Sequence, residues 1–194
     1  MKKIYPPTTP YLTMNVVVLH GSPRKGMNSD TLADMLLKGL NETGLHQVTH
    51  FYVNDLNISH CQGCLHCVKP PHSCRIDDDM QKIYRAYKAA DTIVWASPMY
   101  WGYLTAQLKT VQDRMEALAW AGFEDKTFAV LITYRHHYQS AVAMFERIAP
   151  HFHIKLHSLA CRTYDPETRR DLPISKCEKE LEQAYQLGIK LGSG

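Results

Sequence analysis

"MNVVVLHGSPRKGMNSDTL", residues 14–32, decides the fold. Its first half is a β-branched run without polar alternation, the pattern of a strand buried on both faces in a parallel sheet. The run stops at Gly21-Ser22. A helical pattern follows, with Leu32, Met35, Leu36 and Leu40 on one face and Gly44 closing it. A strand that feeds a helix through a short polar loop opens a β-α-β unit.

The rest of the chain repeats that alternation. "QVTHFYVND" (47–55) reads as a second strand, and "DDDMQKIYRAYKAA" (77–90) as a helix whose opening aspartates suit its N-terminus. "DTIVWASP" (91–98) is the third strand. One helix is expected over 104–120, with Leu104, Leu108, Val111, Met115 and Leu118 on one face. "KTFAVLITY" (126–134) and "IKLHSLACR" (154–162) are the fourth and fifth strands, separated by a helix over 140–152, and a helix over 175–192 closes the chain. Five strands alternating with helices predict an α/β fold, a three-layer sandwich with a five-stranded parallel sheet and right-handed crossovers.

At 194 residues the chain suits one domain over 14–194, with 1–13 as an N-terminal extension. An apolar share of 45% and a charged share of 21% exclude disorder. A net charge of +3 without basic runs interleaved with aromatics argues against nucleic acid as a partner. The N-terminus has two lysines followed by prolines and threonines rather than an apolar signal core, and no apolar run nears membrane-spanning length. These features predict a cytoplasmic protein, where clustered cysteines serve metals or redox chemistry more often than structural bridges.

In such sheets ligands bind beyond the carboxyl ends of the strands, at the switch point. There the first strand delivers Gly21 for a sharp turn, the polar side chains of Ser22, Asn28 and Ser29, and the amides that open the next helix, which together form an anion cradle. A Walker A loop is excluded because Gly26 is followed by Met27 and Asn28. The dinucleotide fingerprint is excluded by Pro23. The competing reading is an ordinary loop capped by Asn28 or Ser29. The third strand ends in a second loop, "SPMYWGYLTAQLK" (97–109), which offers aromatic faces and free amides beside the first. Together the two loops favour a mononucleotide carrying a flat ring.

Three segments carry a family resemblance: "GSPRKGMNSDTLA", "CQGCLHC…C…DDM" and "SPMYWGYLTAQLKTVQDR". In these the chain resembles the NADPH-dependent FMN reductase and iron-sulfur flavoprotein branch of the flavodoxin-like superfamily, over roughly residues 14 to 115. The resemblance implies strand order 2-1-3-4-5 and FMN as cofactor. It implies that Ser22, Arg24, Asn28 and Ser29 hold the phosphate, with Lys25 a weaker candidate. It also implies that Pro98, Met99, Tyr100, Trp101 and Gly102 line the isoalloxazine, with Thr133 at the end of the fourth strand beside them. The chain departs from the family after that strand, where "TYRHHYQS" replaces the usual glycine. Tyr134, Arg135 and His136 are therefore expected either to shape the nicotinamide or acceptor pocket or to cover the loop.

The expected chemistry is an NAD(P)H-dependent oxidoreductase that passes electrons through FMN to a quinone, nitro compound or similar acceptor. The alternatives are an electron carrier without NAD(P)H turnover, paired with a redox protein, and a redox-sensing or zinc-stabilised interaction module. Hydrolysis fares poorly, with no Gly-x-Ser-x-Gly elbow and no Cys-x5-Arg loop. The aromatic group Tyr100, Trp101 and Tyr103 predicts a homodimer or a dimer of dimers.

The insertion "CQGCLHCVKPPHSC" (61–74) holds four cysteines and two histidines. Cys61, Cys64 and Cys67 are spaced like half of a ferredoxin run, with Cys74 as a fourth candidate ligand for a [4Fe-4S] cluster. Zinc, with His66 or His72 replacing a thiolate, fits the spacing less well, and a disulfide or a plain thiol-rich loop are further readings. Cys161 and Cys177 stand apart and are expected to be core or surface thiols.

Overall fold

The computed structural model describes residues 13–120 and 122–194. The expected N-terminal extension therefore lies, apart from Thr13, outside the described residues. β1 (Asn15–His20) runs into α1 (Asn28–Asn41), and β2 (Gln47–Tyr52) precedes the cysteine loop and α2 (Met80–Ala89). β3 (Thr92–Tyr100), β4 (Tyr103–Leu104) and α3 (Ala106–Asp113) follow, then β5 (Thr127–Tyr134), α4 (Gln139–Ile148) and β6 (Lys155–Arg162). A small hairpin, β7 (Tyr164–Asp165) with β8 (Arg170–Asp171), leads to α5 (Glu178–Gly192).

The five long strands are parallel in the order β2-β1-β3-β5-β6, the flavodoxin-like order that the family resemblance implies. The sheet has six strands rather than five, because β4 folds back antiparallel on the end of β3. Trp101 (φ 49°) and Gly102 (φ 82°) make that turn, both in the left-handed region that a two-residue hairpin requires. The helix expected over 104–120 is also broken. α3 ends at Asp113, and a 3₁₀ turn takes Met115–Leu118. Between them Arg114 is tied by tertiary hydrogen bonds: its carbonyl accepts the Tyr84 hydroxyl at 2.7 Å and its guanidinium reaches into the cysteine loop.

The sheet carries a core on each face. Trp95, Tyr87, Phe128 and Phe145 fill the layer under α2, α3 and α4, while Val16, Val18, Val94, Ala96 and Leu131 meet α1 and α5. α1 and α5 lie at backbone contact. A Cβ on Gly188 would sit 1.9 Å from the Leu36 carbonyl oxygen, and one on Gly39 would sit 1.9 Å from that of Tyr185. Only glycine permits that approach. The stacked layers leave one rim, the carboxyl ends of β1, β3 and β5, to be built by loops.

Candidate functional site

The loop after β1 brings Ser22, Arg24, Asn28 and Ser29 to the start of α1. Ser22 is buried, and its hydroxyl donates to the Arg24 carbonyl (3.0 Å) and accepts from the Arg24 amide (3.1 Å). Ser29 is buried, Asn28 half-buried and Arg24 exposed. The N-cap position of α1 is Met27, and no side chain caps it, so neither Asn28 nor Ser29 serves as the cap that the competing reading required. An uncapped helix start beneath a polar loop suits a phosphate, because its amides point outward with the positive end of the helix dipole. Lys25 turns aside to pair with Asp55 and lie over the Tyr52 ring, 4.6 Å from its centroid.

Beneath the loop, Asp30 accepts from the Gly26 amide (2.8 Å) and from His20 Nδ1 (2.9 Å). His20 is wholly buried, lies 3.0 Å from His50 through its other ring nitrogen, and stacks on Tyr52. Burial, and then the neighbouring His20, push His50 down from its ordinary range. The acidic group of the first helical turn thus faces inward and braces the loop rather than opposing an anion in front of it.

The second loop lies against the first through Thr105, which is fully buried. Its hydroxyl donates to the Gly21 carbonyl (2.6 Å) and accepts from the Leu108 amide (3.4 Å), so one side chain caps α3 and joins both loops. Pro98 and Met99 are half-buried at the end of β3, Tyr100 is exposed, and Trp101 stands free at the hairpin tip. Gly102 completes the turn, and its carbonyl accepts the Ser140 hydroxyl. Thr133 is buried at the end of β5, in register with Pro98. The first loop, the hairpin and Thr133 therefore share one rim. Arg135 pairs with Asp171, and His136 packs edge-on against Tyr164, so both are committed to the β7–β8 hairpin side.

Cys61, Cys64, Cys67 and Cys74 line one cavity of about 300 Å³, together with Ile76 and Arg114. All four are free thiols. Gly63, Leu65 and His72 in this loop have positive φ. The buried Arg114 guanidinium donates to Cys74 Sγ (3.3 Å), to the Ser59 and Ile76 carbonyls (3.1 and 3.4 Å), and to Asp78. Its Nε has no partner among the described residues. Burial works against charge on both partners. The Arg114 hydrogen bond, with the Ser59 and Met80 amides, outweighs it and holds Asp78 below the usual carboxylate range. Asp78 and Cys74 in turn keep Arg114 charged. Burial pushes the Cys67 thiol up. Four thiols lining one cavity are a donor set of the kind that holds an iron-sulfur cluster.

The family model for NADPH-dependent FMN reductase matches residues 14–159, from β1 into β6. The chain belongs to the NADPH-dependent FMN reductase family. Among curated relatives, it is 39% identical over 101 residues to an iron-sulfur flavoprotein of Methanosarcina thermophila, covering 52% of each chain. It is 40% identical over 109 residues to an iron-sulfur flavoprotein of Archaeoglobus fulgidus, covering 56% of this chain and 54% of that one. The chain thus spans about half the length of the curated relatives it matches. Among solved structures, the fold is similar to an NAD(P)H:quinone oxidoreductase from Methanothermobacter marburgensis. There the TM-score is 0.66 at 17% identity, over 92% of this chain and 97% of that one. It is also similar to an FMN-dependent NADH-azoreductase from Bacillus anthracis in complex with FMN, with TM-score 0.64 at 12% identity over 92% and 97%. At those identities the likeness is one of fold.

Several residues of this FMN reductase-family chain escape a reading by motif. Thr105 carries a helix-start signal, a threonine ahead of an apolar-periodic run, but nothing local says that its hydroxyl also holds the preceding loop. Arg114 and Asp78 lie 36 residues apart and meet only in the fold. No sequence spacing pairs His20 with Asp30 and His50.

Proposed function

We propose that the chain is an FMN-dependent oxidoreductase that takes electrons from NADH or NADPH and passes them to a quinone, nitro compound or similar small acceptor. The observation that carries this reading is Thr105 joining the phosphate loop to the hairpin loop, which sets a polar cradle and an aromatic rim on one edge of the sheet. In this reading Ser22, Arg24, Asn28 and Ser29 hold the FMN phosphate. Pro98, Met99, Tyr100, Trp101, Gly102 and Thr133 border the ring, and Tyr134 faces the second substrate. Bound FMN would supply the redox chemistry that links NAD(P)H to the acceptor. No nucleophile of the chain takes part. Its side chains bind, orient and exclude water.

The same reading assigns a working unit from Met14 onward with the cysteine insertion at 61–74, in the cytoplasm, where its thiols stay reduced. Tyr100 and the fully exposed Trp101 border a second copy of the chain in a homodimer or a dimer of dimers. Among the described residues no helix is long and apolar enough to cross a membrane. A second reading, an iron-sulfur flavoprotein that carries electrons between redox proteins without NAD(P)H turnover, is favoured by the four thiols around one cavity.

Steady-state oxidation of NADH and NADPH, with FMN supplied and a quinone as acceptor, separates the two. Acceptor-dependent oxidation is expected. Bound FMN with no oxidation of either nucleotide would overturn the enzyme reading in favour of the carrier.

A further inference from the structure

A second group of soft ligands lies on the opposite face of the sheet from the cysteine loop. Cys67 and Cys74 pack against the layer under α2, α3 and α4, whereas Cys161 and Cys177 belong to the layer of α1 and α5. Cys161 is on β6 and wholly buried. Cys177 is buried at the N-cap of α5, and Glu180 lies one turn into that helix. The two sulfurs and a Glu180 carboxylate oxygen all lie within 4.8 Å of one another. All three residues fall beyond residue 159, where the family match ends.

A hydrogen bond accounts for the Cys177 thiol, which donates to the Arg162 carbonyl at 3.5 Å, but not for the carboxylate beside it. Glu180 occupies the position from which a capping-box carboxylate turns back onto the N-cap amide. Here that amide, of Cys177, already donates to the Ile174 carbonyl at 2.9 Å, and the carboxylate stands beside the two thiols instead. A half-buried carboxylate next to an apolar layer is costly unless something neutralises it. Two thiols and a carboxylate on a rigid strand and a helix start are the donor set of a soft divalent cation.

We propose that Cys161, Cys177 and Glu180 bind one divalent metal ion of the zinc class, separate from the cysteine loop. Zinc–ligand bonds of about 2.0–2.3 Å put tetrahedral ligand atoms roughly 3.5–3.8 Å apart, a closure that small side-chain rotations supply. The Arg162 carbonyl, 3.5 Å from Cys177 Sγ, or a water completes the coordination. Binding exchanges each S–H bond for an S–metal bond and releases the proton to solvent, with no oxidant required. Burial pushes the Cys161 thiol up, so protons compete with the metal there. The ion would clamp β6 to α5, the last contact that closes the sandwich.

The test uses the full chain with Cys61, Cys64, Cys67 and Cys74 each replaced by serine, so that no loop thiol competes. Reduced and chelator-treated, it is titrated with Cd²⁺ and, against a chromophoric chelator, with Zn²⁺. One ion per chain is expected, with a thiolate-to-cadmium charge-transfer band and a raised Tm. Cys161→Ser or Cys177→Ser should weaken binding more than about 100-fold, since even outer-shell partners of a metal are worth about 10–100-fold. Glu180→Gln, which leaves the buried thiols intact, should weaken it at least about tenfold. Absence of the charge-transfer band would overturn the proposal. So would affinity unmoved by Glu180→Gln, or a Cys161–Cys177 disulfide forming under air in place of metal binding.

Discussion

Asp78→Ala should lower stability by about 3–5 kcal/mol, the cost of leaving a buried charge without its partner. The Arg114 and Asp78 side chains are 1% and 5% exposed, so solvent cannot take over the role of either. Asp78 also accepts the Ser59 and Met80 amides, and Arg114 holds the Ser59 and Ile76 carbonyls, so the pair fastens both ends of the cysteine loop to α2 and α3. Losing the carboxylate therefore frees the loop as well as the charge. The pH dependence has a definite sign. The folded carboxyl lies below its ordinary value, so its contribution is fully present above about 3.8 and is lost as pH falls through the lowered folded value. Denaturant melts of wild type and variant should differ most near neutrality and converge in acid. A variant within about 0.5 kcal/mol of wild type at pH 7, the range of an ordinary surface change, would refute the anchoring role.

Cys67→Ser should abolish cluster iron. In anaerobically purified wild type, near-stoichiometric iron and acid-labile sulfide are expected in step with bound FMN, because all four thiols face one cavity and Arg114 offsets part of their negative charge. Removing one of the four thiols would leave such a cluster one protein ligand short. FMN content should not change, since the loop takes no part in the phosphate cradle. Iron near zero in reconstituted wild type would leave a thiol-rich loop with no cluster. Stoichiometric zinc in its place would assign the loop a structural role.

The strands were legible where burial dictated composition. Val16 to Leu19 and the run from Thr92 to Ser97 are covered on both faces, and only a parallel sheet between helix layers asks for that. β4 was not legible. A two-residue hairpin is announced by Asn-Gly or Asp-Gly, whereas here a tryptophan takes the left-handed position and reads as a ring for the ligand. The periodicity of 104–120 was genuine, since Leu108, Val111, Met115 and Leu118 are all buried. The helix still breaks, because the demands on Arg114 come from residues distant in sequence. The same limit applies at the site. Ser22, Asn28 and Ser29 announce themselves by position after β1. Asp30 and Thr105 act through partners on other strands and loops, which no local pattern reveals.

The proposed function requires the loop after β1, with the uncapped start of α1, to hold the phosphate of FMN. Equilibrium titration of the apo-protein with FMN and with riboflavin isolates that contact, because the two ligands differ only in the phosphate. A charge-assisted hydrogen bond is worth about 1.5–3 kcal/mol, so even one requires FMN to bind more than about tenfold tighter, and several require far more. Replacing Asn28 and Ser29 with alanine should erase most of that difference while the far-ultraviolet spectrum stays unchanged. Equal affinity for FMN and riboflavin would show that this loop does not hold the phosphate.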